Sequence, residues 1–137
     1  MLLTPDEIEH VLGNVRTACL ELCNRHGFTV MAGSKGFVAV PDGKKFVGDE
    51  LLRKLRASSK KRKDQFVLYW QTSDEVEFRK PDGVLYIHCN STYEYYNIDD
   101  EKRAVEQVKT VFSRYGIVYQ WSEQEPFLWK IKVTGCH

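Results

Sequence analysis

Phe127-Leu128-Trp129-Lys130-Ile131-Lys132-Val133 places an apolar residue at every odd position and lysine at 130 and 132. Neighbouring side chains of a strand point to opposite faces, so this stretch reads as a strand with one dry face and one wet face. That pattern suits an antiparallel sheet whose buried side is covered by helices. Just before it, Ile117-Val118-Tyr119-Gln120-Trp121 reads as the partner strand, with a loop over 122–126 closing the hairpin. Gly116 stops the preceding helix, which Asp99 or Asp100 caps and which runs to about Tyr115. Ala104, Val108, Val111 and Phe112 form its inward stripe.

At the other end of the chain, Thr4-Pro5-Asp6-Glu7 combines a capping hydroxyl, proline at the first helical position and a glutamate placed to complete a capping box. Ile8, Val11, Leu12, Val15, Cys19 and Leu22 follow at helical spacing, and Gly27 is placed to end the helix in a left-handed cap. The helix is predicted over about 5–26. Phe28-Thr29-Val30-Met31-Ala32 and Phe37-Val38-Ala39-Val40 flank a Gly-Ser-Lys-Gly loop at 33–36 and read as a hairpin. A phosphate-binding loop would need a helix after that loop, and a strand follows instead. Asp49 is placed to cap a short helix with Leu51, Leu52 and Leu55 on its apolar stripe. Gln65-Phe66-Val67-Leu68-Tyr69-Trp70 is read as a strand, Val76-Glu77-Phe78 as a short one, Pro81-Asp82-Gly83 as a turn, and Val84-Leu85-Tyr86-Ile87-His88 as the returning strand. Tyr93-Glu94-Tyr95-Tyr96 reads as a loop or edge segment.

The predicted order is α-β-β-α-β-β-β-α-β-β in a single α+β domain spanning 1–137, a mainly antiparallel sheet packed by two to three helices. A helix, a glycine and a hairpin occur in that order twice, at Gly27 and at Gly116. This is read as the ordinary way a helix hands over to a hairpin rather than as a repeat fold. Phe66-Val67-Leu68-Tyr69-Trp70-Gln71, Val84-Leu85-Tyr86-Ile87 and Gly116-Ile117-Val118-Tyr119-Gln120-Trp121 carry a resemblance. Over residues 65–133 the chain resembles the C-terminal part of a group of small bacterial proteins of unknown function. That resemblance implies a similar sheet-and-helix core and no known activity.

With 137 residues, 42% hydrophobic and 28% charged, the chain is long enough and apolar enough for one core without staples. It offers no apolar run of membrane-spanning length and no secretory leader at its start, so a cytoplasmic protein with reduced cysteines and no membrane partner is expected. The net charge of +1 conceals a strong polarity. Arg53, Lys54, Arg56, Lys60, Lys61, Arg62 and Lys63 fall within eleven residues that contain no acid. The remainder holds thirteen bases against nineteen acids. Clustered cations gain affinity for polyanions by releasing counterions, whereas a charge run can equally serve solubility alone.

Chemistry-bearing clusters are few. Cys19, Cys23 and His26 share one helix face and could start a zinc site with His88 or Cys89. They also lie on the apolar stripe, where cysteine packs as a small hydrophobe, and core packing with no metal is the reading preferred. His88 and Cys89 are strand neighbours facing opposite ways, so they cannot form a nucleophile–base dyad; a dyad would need a distant partner such as Cys23. No catalytic residue and no cofactor is assigned.

Three functions remain open. The leading one is a non-enzymatic interaction module, of accessory, inhibitor or immunity type, docking on an acidic protein partner through the seven basic residues. The second is a nucleic-acid-binding protein using residues 53–63, with Tyr69, Trp70 or the tyrosines at 93, 95 and 96 available for stacking. The third is a small enzyme with a site around His88. A flat apolar patch beside the basic segment would mark the first, a positive surface joined to tyrosines the second, and a pocket around His88 the third.

Overall fold

The N-terminal box forms as the sequence predicts. In the computed structural model, which describes residues 2–32, 37–39, 66–91, 98–125 and 128–137, Glu7 N–H donates to Thr4 Oγ1 at 3.2 Å and Thr4 N–H donates to Glu7 Oε1 at 3.0 Å. These bonds satisfy two donors that a helix start otherwise leaves open. Helix α1 (Pro5–His26) buries Ile8, Val11, Leu12, Val15, Ala18, Cys19, Leu22 and Cys23 and ends at Gly27 with φ 77°. It leads into β1 (Thr29–Ala32), which pairs antiparallel with β2 (Phe37–Ala39).

Strand β3 (Phe66–Trp70) lies parallel to β1, the one parallel pairing among the described residues. Helix α2 (Thr72–Phe78) follows it, then β4 (Leu85–Ser91), α3 (Ile98–Arg114), β5 (Ile117–Glu125) and β6 (Leu128–Cys136). The strands form one six-stranded sheet in the order β2-β1-β3-β4-β6-β5. The α+β class and the largely antiparallel sheet agree with the sequence. The two helix–glycine–hairpin units sit at opposite edges of that sheet, and Gly116 adopts φ 70°, close to Gly27.

Three boundaries differ from expectation. Val76-Glu77-Phe78 belongs to α2 and is not a strand. Asp74 Oδ2 accepts the Gln71 N–H at 2.8 Å and closes the first turn, and Glu75 and Phe78, one turn apart, face inward while Val76 is exposed. Helix α3 starts at Ile98, so Asp99 and Asp100 are inside its first turn, favourable to the helix dipole, and neither is the cap. The closing hairpin is tighter than a 122–126 loop, since β5 runs on to Glu125. The predicted helix after Asp49, the loop at 33–36 and the tyrosines at 93, 95 and 96 lie outside the described residues.

Helices α1 and α3 pack against each other and against one face of the sheet. Between them Leu68, Ile87, Cys89, Ile131 and Val133 are fully buried, as are Leu12, Val15 and Val111 from the helices. Polar ties fasten α1 to distant parts of the chain. Arg16 reaches Glu75 at 2.9 Å, Arg79 reaches Glu9 at 3.0 Å, Arg114 pairs with Glu21, and Asn14 Nδ2 donates to Cys136 Sγ at 2.9 Å. The turn at Pro81-Asp82-Gly83 is also as predicted. A Cβ on Gly83 would come within 2.1 Å of the Glu77 carbonyl oxygen, so the chain can pass there only without a side chain. Among the described residues no helix is long and apolar enough to cross a membrane.

Candidate binding face

Alternation along the strands sorts their side chains onto two faces. On β4, Leu85, Ile87 and Cys89 enter the core, so Tyr86 and His88 point the other way. On β6, Trp129, Ile131 and Val133 enter the core and Lys130 and Lys132 point away. On β3, Phe66, Leu68 and Trp70 are buried beneath the helices, and Tyr69 is half-buried on the opposite side. Gln120 and Ser122 of β5 complete this second face and are exposed.

Pairing register fixes how these groups meet. Tyr69 opposes His88, His88 opposes Lys130, and Lys130 opposes Ser122, giving a continuous row across four strands. In the next row Tyr86 opposes Lys132, which opposes Gln120. The Tyr69 and His88 rings stack with centroids 5.1 Å apart and planes 23° apart. Lys130 Nζ lies 4.2 Å from the centre of the Tyr86 ring, close enough for a cation–π contact. At the Phe66 end of the same face Thr29 and Val67 are buried, so the accessible part is centred on β4, β6 and β5.

The chemistry of this patch is one-sided. Tyrosine hydroxyls, an imidazole, two ammonium groups, an amide and a hydroxyl can all donate hydrogen bonds. No aspartate or glutamate stands in either row. Most acids of the described residues ride on the three helices instead, as with Glu9 and Glu21 on α1 and Asp99, Asp100 and Glu101 on α3.

Other groups are structural. Glu75 is fully buried, and its carboxylate accepts from Arg16 at 2.9 Å and from Trp70 Nε1 at 3.2 Å, with Arg79 3.7 Å away. The carboxylate thereby joins α1, β3 and α2. Cys19 and Cys23 are core residues, as predicted. Burial pushes the Cys19 thiol far above the ordinary range, and burial next to Cys19 does the same to Cys89. Cys89 and Cys23 lie on the helix side of the sheet and His88 on the other, so neither cysteine meets that histidine. A cavity of about 300 Å³ lies elsewhere, between the start of α1 and the 78–84 turn.

Arg53, Lys54, Arg56, Lys60, Lys61, Arg62 and Lys63 lie outside the described residues. Of the aromatic candidates, Tyr69 is on the accessible face and Trp70 is in the core. Sequence alone does not mark Tyr86, Lys130 and Lys132 as site residues, although the alternation that reveals the Trp129 face also places both lysines together on the wet one. Large exposed hydrophobics are scattered, with Leu2, Leu20, Val76 and Val118 on four different segments, and form no single patch among the described residues. No family model matches the chain, and no curated protein shows significant similarity to it.

Proposed function

We propose that the protein is a non-enzymatic interaction module for an anionic partner, docking through the open face of its sheet together with the basic segment at 53–63. The observation that carries this reading is the pair of rows in which Lys130 and Lys132 stand beside Tyr86, His88 and Tyr69 with no acid among them. Cations held on a rigid sheet are positioned before the partner arrives, which lowers the ordering cost of binding.

Binding of the full chain to heparin and to poly-L-glutamate at two salt concentrations tests the proposal. Both should bind, more weakly at high salt, and the double variant Lys130→Gln/Lys132→Gln should bind several-fold more weakly. Absence of binding to either polyanion at low salt would overturn it. An unchanged affinity in the double variant would move the contact away from the sheet.

A further inference from the structure

Charge alone does not choose between an acidic protein and a nucleic acid; the rings on the face do. We infer that the partner is a single-stranded nucleic acid, laid across β3, β4 and β6 with its phosphates on Lys130 and Lys132 and its bases against Tyr69, His88 and Tyr86. The inference rests on the anionic-partner reading above and narrows it to one class.

Four observations converge. Three flat side chains, at 69, 86 and 88, stand at outward positions of the two central strands, on the same face as the buried Val67, and each is half-buried, so each is held in place and still reaches solvent. Tyr69 and His88 are already stacked, and an unpaired base can join such a platform without having to order it first. Lys130 Nζ lies over one face of the Tyr86 ring, 4.2 Å from its centre, so a cation able to meet a phosphate and a ring able to meet a base stand together on this face. Finally, a protein interface draws its energy from a desolvated apolar centre, and Val118 is the one large exposed hydrophobic described on this side of the sheet. A duplex hides its base faces within its own stack, so rings favour a single strand. The seven cations at 53–63 add an electrostatic contribution that any polyanion would feel and that carries no information about bases.

The test titrates the full chain with a fluorescent mixed-sequence 12-nucleotide RNA, the same RNA as a duplex, and poly-L-glutamate. Single-stranded RNA should bind at least about tenfold more tightly than the duplex, and its log affinity should fall with log salt at roughly −0.7 per phosphate contacted. Tyr86→Leu and Tyr69→Leu keep apolar bulk and remove the ring. Each should weaken single-stranded RNA binding by roughly 5- to 100-fold, the range for losing one stacked base, and leave poly-L-glutamate binding unchanged. A thermal melt of each variant confirms folding; should one fail to fold, the other carries the comparison. Equal affinity for single strand and duplex, or equal losses for RNA and poly-L-glutamate in the leucine variants, would overturn the nucleic-acid inference and leave an acidic protein as the partner. Binding to none of the three would remove the anionic-partner reading itself.

Discussion

Trp129 and Phe66 stack with ring centroids 5.7 Å apart and planes 22° apart, although their strands, β6 and β3, are not neighbours. Strand β4 runs between them, and the residue it places opposite Trp129 is Cys89, whose small side chain leaves room for the rings to meet above it. Trp121 approaches Trp129 from the other side at 5.8 Å. Trp129 thus links three strands across the middle of the core.

Trp129→Ala should therefore destabilise the fold by about 3–5 kcal/mol, since neighbours on both sides lose a partner and cannot close the gap. Denaturant melts measure the loss. A change under about 1 kcal/mol would contradict the burial of this side chain.

Glu75 gives a second expectation. Arg16→Met removes its shortest ionic partner and leaves a fully buried carboxylate with the Trp70 N–H and a more distant Arg79. The loss should be about 2–3 kcal/mol. Lys80→Met, which breaks the exposed pair with Glu77, should cost under about 0.5 kcal/mol. Adding Glu75→Leu to Arg16→Met should recover part of the loss, because the buried charge that lost its nearest cation goes with it. Chemical denaturation of the three variants distinguishes a buried ionic joint from a surface pair.

Thiol chemistry should follow burial. Cys19, Cys23 and Cys89 are enclosed, and the raised thiols of Cys19 and Cys89 hold almost no thiolate near pH 8. Cys136 is half-buried and reaches solvent. Iodoacetamide at pH 8 followed by mass spectrometry should find Cys136 modified first in native protein and all four cysteines modified in denaturant. Early modification of Cys19 or Cys89 would contradict the packing of α1 on β4.

Neutralising Lys60, Lys61, Arg62 and Lys63 to glutamine should change stability by no more than about 0.5 kcal/mol, because the run 58–63 contains no apolar residue to anchor it in a core. With a nucleic acid as partner, the same change should flatten the log–log salt dependence of binding by up to about four units on a duplex scale, and by less on a single strand. With an acidic protein surface, association should slow while dissociation changes less. Stopped-flow kinetics and salt titrations read both quantities.

What could be read from sequence depended on how local the deciding contacts are. Helix α1 was fully legible, because its cap, stripe and terminal glycine lie within one segment. Val76-Glu77-Phe78 alternates like a strand, and the contacts that make it helical include Arg16 on Glu75, 59 residues away. The run Phe66-Val67-Leu68-Tyr69-Trp70 is apolar throughout, so nothing local says that Tyr69 faces outward and Trp70 inward; pairing with β4 decides it. The binding face was half visible. Lys130 and Lys132 alternate openly with core residues, but their meeting with Tyr86 and His88 depends on a register between strands more than 40 residues apart.

The ties of α1 also have a consequence for the order in which the chain matures. This helix is synthesised first, yet its polar fastenings reach Arg79, Arg114 and Cys136, and its stripe is covered by strands that end only at Cys136. At the usual pace of translation, on the order of ten seconds pass between completion of α1 and completion of its cover. Throughout that interval an amphipathic helix rich in leucine, valine and cysteine has only part of its native surface to rest on. Contacts of such long sequence separation also slow refolding of the finished chain. Of the described elements, α1 is thus the one whose native cover is longest delayed, and β6 is the strand that completes it.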